Sequence, residues 1–205
     1  KSSIVRTLTG STDAEIGQGF RAETRTARVF DFPANAPVIR FLDTRGLGEA
    51  AYDPAADIAV SEAQSHLVLA VARALDHEQT DLLRVLREVR RRHPDWPVVV
   101  ALTCLHDVYP HGTGHVVPYP FAAEDTPTAG AGPFPADLTR SLAHQRRILG
   151  DLPGRGSVLF VPIDFTRPED RFTPVDYGLE ALTAALERAA PAGLEAALAA
   201  LAGGR

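Results

Sequence analysis

The sequence has no methionine and a single cysteine, Cys104, among its 205 residues. One cysteine excludes an intramolecular disulfide framework and fits a reducing compartment. No apolar run approaches the ~18–20 residues of a membrane span. Aromatic residues make up only 7%, and positive charge is outweighed: 21 Lys+Arg against 26 Asp+Glu leave a formal charge of −5. An acidic balance argues against a general nucleic-acid binder, which needs a basic face to displace counterions from phosphates. What is present, 45% apolar and 23% charged residues, is the profile of a globular domain with a sizeable core. The chain opens on Lys1-Ser2-Ser3 in a stretch that already reads as helix. The expectation is therefore that it begins inside a structural element, with something upstream.

Ile4, Val5 and Leu8 stand at helical spacing, and Gly10 follows as a C-cap. Residues 11–24 are polar and read as a mobile loop. Strand patterns at 26–32 and 38–42, joined through Ala34-Asn35-Ala36-Pro37, suggest an antiparallel pair. Alternation follows. A helix is expected at about 54–64, entered through Asp53-Pro54. The apolar runs at 66–72, 98–103 and 157–163 read as strands buried on both faces. Between them, 77–92 is an amphipathic helix with Leu82, Leu83, Val85, Leu86 and Val89 on one side. Arg84, Arg87, Arg90 and Arg91 fall largely outside that stripe. Residues 108–136 are rich in Pro, Gly and Thr and carry no periodicity, as in functional or disordered segments. Asp137 is expected to cap a helix to Leu149, a helix at 175–189 closes the unit, and 191–202 is a separate Ala/Leu helix whose apolar face needs a partner. The pattern is that of an α/β fold with a mostly parallel sheet. In such sheets the ligand sits at the carboxyl ends of the strands, here just after residues 42, 72, 103 and 163.

Three places are candidates for chemistry, two of them at those strand ends, where an Asp or Gly that merely forms a turn is the alternative reading. Asp43-Thr44-Arg45-Gly46 offers a carboxylate for Mg²⁺ and a glycine N–H for a phosphate oxygen. Asp107, in Cys104-Leu105-His106-Asp107, is able to accept two hydrogen bonds from a purine. At the front, Lys1-Ser2-Ser3 opens a helix whose amides suit an anion.

In this order and spacing, the motifs resemble the P-loop GTPases across almost the whole chain. Lys1-Ser2 looks like the end of the Walker A motif, cut before its lysine. The closest likeness is to the bacterial Era-like, translation-factor-related GTPases, which carry a Thr-Arg pair about nineteen residues before the DxxG aspartate; Thr24-Arg25 precedes Asp43 by nineteen. The resemblance implies a three-layer P-loop NTPase G domain over 1–189. Its first strand and most of its phosphate loop would be missing, it would carry an insertion at about 108–136, and 190–205 would be a helical tail opening a linker or further domain. It implies that Lys1 touches the β and γ phosphates, that Ser2 and Thr24 (with Thr26 second) ligate Mg²⁺, and that Asp43 holds the metal through a water. Ser3 would lie among the phosphate-binding residues. Gly46 would sense the γ phosphate, making Lys1, Thr24 and Gly46 the catalytic set. Thr103 and Asp107 fall in the guanine-reading motif, and the Phe165 N–H in the next one. Leu47 follows Gly46 where Ras-type enzymes keep a water-orienting Gln, which implies slow intrinsic turnover.

The likeness departs from the family in two motifs. Thr103, Cys104 and Leu105 stand where the fourth motif keeps its Asn and Lys, and Asp164-Phe165 replaces the usual Ser-Ala. Function is expected to be Mg²⁺-dependent GTP binding and slow hydrolysis to GDP, in a cytoplasmic protein or one peripheral to the inner membrane, with a protein partner or helical domain at 108–136 and 191–202. A pseudo-GTPase scaffold is the alternative. A third class is a metal module using His106, His111, His115, Cys104 and Asp107, against which these read as solvated loop histidines. Arg90-Arg91-Arg92-His93 reads as a basic helix end favouring the dipole rather than as a nucleic-acid or lipid patch.

Overall fold

The computed structural model describes residues 2–9, 28–32, 39–43, 65–110, 113–121, 135–167, 170 and 172–203. The chain forms two compact units, residues 1–65 and 66–205. In the first, α1 (Ser2–Thr9) buries Ile4, Val5 and Leu8, the three positions picked out by spacing. β1 (Arg28–Phe32) and β2 (Ile39–Asp43) pair antiparallel, with Phe30 opposite Phe41. Asp43 is the last residue of β2, one residue beyond the expected strand end. Lys1, Gly10, the loop at 11–24, Thr24, Thr26, Gly46, Leu47 and the helix expected at 54–64 lie outside the described residues.

The second unit is an α/β fold on an open sheet of three parallel strands. Its elements are β3 (Val68–Arg73), α2 (Thr80–Arg92), β4 (Val98–Thr103), a one-turn 3₁₀ helix (Leu105–Val108), α3 (Ala136–Leu149) and β5 (Val158–Pro162). A short antiparallel ladder of β6 (Asp164–Phe165) and β7 (Asp176–Tyr177) follows, and then α4 (Leu179–Gly203). The strand order is β3-β4-β5. Register sets Val68 beside Val98 and Val98 beside Val158, and ends with Arg73 beside Thr103 and Leu102 beside Pro162. Strand ends therefore lie level.

Residues 98–102 of β4 are all 0% exposed, as a central parallel strand covered on both faces must be. Val98, Val100 and Leu102 point into a core with Leu86 of α2 and Leu138, Leu142 and Leu149 of α3. Alternation turns Val99 and Ala101 the other way, toward the side on which α4 packs against β4 and β5 with Leu182, Ala185, Leu186 and Ala189 buried.

Three local expectations are corrected. Arg90, placed on the polar side of α2, is buried; its Nε donates to the Pro153 carbonyl at 2.8 Å and its Nη1 to that of Trp96 at 2.8 Å. The segment that follows the helix turns at His93–Trp96, and Arg90 reaches carbonyls that would otherwise lose their donor. α3 starts two residues early: Pro135 holds the cap position expected of Asp137, which lies in the first turn, paired with Arg140. Proline's fixed φ suits a helix start. Finally, the helices expected at 175–189 and 191–202 are one, with Pro191 inside it. Val175 precedes β7 instead of opening a helix, because 164–165 and 176–177 pair first.

Candidate functional site

The level strand ends bring Arg73, the 104–107 segment and Asp164 to one edge of the sheet. Backbone there is held firmly. The Ala74 N–H donates to the Thr103 carbonyl at 2.9 Å, and the Ile163 N–H to that of Leu102 at 2.8 Å. Thr103 Oγ1 donates to the Ala72 carbonyl at 3.2 Å, so this candidate side chain fastens β4 to β3. Gln145 of α3, fully buried, directs Nε2 at the carbonyls of Arg73, Ala74 and Asp76 as the chain leaves β3.

Cys104 then adopts the left-handed conformation, φ 60° and ψ 45°, and reverses the chain into the 3₁₀ turn. Leu105 enters the core, while His106 and Asp107 face outward to different neighbours. Asp107 Oδ2 accepts from Arg73 Nη2 at 2.7 Å, and its Oδ1 lies 3.5 Å from His106 Nε2. Asp164 braces the other side of the turn. Its Oδ2 accepts from the His106 N–H at 2.6 Å, and both its oxygens lie within 2.9 Å of His106 Nδ1. The result is a line of groups, Arg73, Asp107, His106 and Asp164, running across the three strand ends.

His115 sits behind this line, 5% exposed and not solvated as expected. Its ring stacks on Tyr177 at 4.0 Å and meets the edges of Phe172 and Tyr109. Among the described residues neither ring nitrogen has a hydrogen-bond partner, and Nε2 lies 3.6 Å from Asp164 Oδ2. An apolar surround disfavours a charged imidazole, so burial, with the nearby His106, pushes its pKa down to about 4. Burial also raises the Asp164 carboxyl above the usual carboxylate range, against the His106 hydrogen bonds that lower it. It lifts Tyr109 to about 12. The bond to Asp107 instead raises the pKa of Arg73.

Among the described residues, no three His, Cys, Asp or Glu side chains are arranged to hold a metal ion; His111 lies outside them. Phe165 pairs with Asp176, and the Thr166 N–H donates to the Val175 carbonyl at 3.0 Å. Antiparallel alternation then turns the Phe165 N–H away from β7. Ser2 and Ser3 lie in the first turn of α1, which contains no acidic residue. An open cavity of about 570 Å³ lies beside Val108 and is lined by His77, Asp137, Arg140 and Ser141, without Arg73 or Asp107.

The chain matches no protein-family model, and no curated protein resembles it significantly in sequence. Among the described residues, no helix is long and apolar enough to cross a membrane.

The sequence pointed to this edge through Thr103, Asp107 and the position after residue 163. Arg73 was missed, although it directly follows the apolar run at 66–72 where a ligand contact is expected. Asp164 and His115 were missed as partners because 58 residues separate Asp164 from His106, and the β4–β5 register, with the Ile163 N–H bonded to the Leu102 carbonyl, closes that gap.

Proposed function

We propose that the chain is a nucleotide-hydrolysing switch domain of the Era-like GTPase kind, binding GTP with Mg²⁺ and hydrolysing it slowly to GDP. The observation that carries this reading is Asp107, part-exposed on the turn just beyond the C-terminal end of the central parallel strand. A carboxylate there accepts from the ring and exocyclic N–H groups of guanine, and the Phe165 N–H, turned away from β7, is a donor at the same edge. The element order also supports it: a short helix, an antiparallel pair, then parallel strands linked by helices.

Ser2, Thr24 and Asp43 are the residues that would hold Mg²⁺, directly for the hydroxyls and through water for the carboxylate. An α1 start free of acidic residues and an Asp43 ending its strand fit those roles. Mg²⁺, when bound, supplies charge neutralisation on the phosphates. Lys1 binds the β and γ oxygens, and the Gly46 N–H reads the γ phosphate. Leu47 offers no group to orient water, so turnover is slow without help.

A pseudo-GTPase scaffold is the second reading. It is favoured by the commitment of Thr103 to the Ala72 carbonyl and the burial of Leu105, which leave neither free for a base. Titration of the full-length protein with fluorescent GTP and ATP analogues, in Mg²⁺ and then EDTA, separates the two. Selective, Mg²⁺-sensitive GTP binding that drops in Asp107→Ala, with phosphate release, supports the switch; no binding of either nucleotide removes it.

A further inference from the structure

We propose that Arg73 and Asp107 form a donor–acceptor pair that reads the lactam edge of guanine, Arg73 donating to O6 while Asp107 accepts from N1–H. The inference rests on the nucleotide reading above and assigns Arg73, at the end of the neighbouring strand, the discrimination that the 103–105 segment lacks.

Complementarity is the first argument. The Arg73 guanidinium and the Asp107 carboxylate are joined through Nη2 and Oδ2 at 2.7 Å. One hydrogen bond uses a fraction of what either group offers: guanidinium has five N–H donors in a plane, and carboxylate about four acceptor sites. A planar ligand presenting an acceptor beside a donor satisfies both at once. Guanine does so with O6 and N1–H. Adenine reverses the order, with a donor at N6 and an acceptor at N1, and leaves both protein groups facing groups of their own kind. A site built on such polar groups rejects the analogue that leaves them unpaired.

Placement is the second argument. The Arg73 and Asp107 side chains are 63% and 32% exposed, accessible to a ligand yet touching. Their backbones are fixed: Arg73 lies beside Thr103 in the β3–β4 register, Gln145 holds the carbonyls of 73 and 74, and Asp164 fastens His106 next to Asp107. Guanidinium is also planar, so it lies in the plane of a base without losing the carboxylate.

The test uses the full-length protein and three nucleotides: GTP, ITP (which keeps O6 and N1–H but lacks the 2-amino group) and ATP. Arg73→Ala is expected to weaken GTP and ITP by the same factor, about tenfold or more, and to leave ATP unchanged. Arg73→Lys, keeping the charge and a donor, recovers part of the loss. Equal weakening of all three nucleotides would make Arg73 a mere support for the turn, and a loss for GTP without ITP would remove O6 from its role; either overturns the inference. So does undiminished GTP binding in Arg73→Ala. These results leave the nucleotide reading standing, whereas absence of GTP binding to the unaltered protein overturns both.

Discussion

Arg90 is 1% exposed and donates to two backbone carbonyls, those of Pro153 and Trp96. Burial lowers its pKa, yet arginine stays charged at any working pH, so the bonds persist. Arg90→Met fills similar space and leaves both carbonyls without a donor. Urea unfolding should register a loss of about 1–3 kcal/mol. His115 makes the opposite case: its nitrogens have no partners among the described residues, so an apolar ring of similar shape gives up no hydrogen bond to them. Its folded pKa of about 4 lies below the ordinary 6.5. Between those values the unfolded chain binds the extra proton. Stability is thus lost as pH falls from about 6.5 to 4, by up to about 3 kcal/mol in all. Asp164, raised by burial, has the opposite slope, but it is present in both proteins and cancels in their difference. His115→Phe should match the parent in Tm near pH 7.5 and exceed it near pH 5. A gap that does not widen on acidification would refute the account.

At the scale of elements, α4 depends on a close approach. Gly193 lies so near the start of β3 that a Cβ there would be 2.2 Å from the His66 carbonyl oxygen. Alanine is the better helix former by about 1 kcal/mol, but the backbone of 66 cannot yield as a side-chain tip would. Gly193→Ala should therefore destabilise, by about 1–3 kcal/mol, and thermal unfolding gives the sign directly. The same helix illustrates what a sequence conveys. Its buried positions in the first half, Leu182, Ala185, Leu186 and Ala189, follow helical spacing and were legible, as were the three strands at 68–73, 98–103 and 158–162. Pro191 read as a break because proline opposes a helix interior locally, and the approach of Gly193 to His66, distant in sequence, is a contact that no window around 191 reveals. The burial of Arg90 escaped for a like reason, since its acceptors lie 6 and 63 residues away. At the candidate edge, strand ends were legible from apolar runs, but which side chains meet there depends on register.

For the whole molecule, ligand binding is expected to appear as stability. A nucleotide bound only by the folded state at a hundred times its Kd adds about 2.7 kcal/mol. GTP with Mg²⁺ should raise the Tm of the full-length protein, ATP should raise it less, and EDTA should abolish the gain. Equal shifts from both nucleotides would contradict a base-reading edge. The central place of β4, flanked by β3 and β5 and covered on both faces, carries a further consequence for time rather than for energy. Its amides can meet solvent only when the whole unit opens, so deuterium should reach 98–102 last. The β6–β7 ladder is two residues long on each side and should exchange far sooner. Asp164 stands where the two regimes meet, with Ile163 before it tied to the sheet through Leu102 and Phe165 after it in the hairpin, so opening of the hairpin releases only one side of the residue that grips His106.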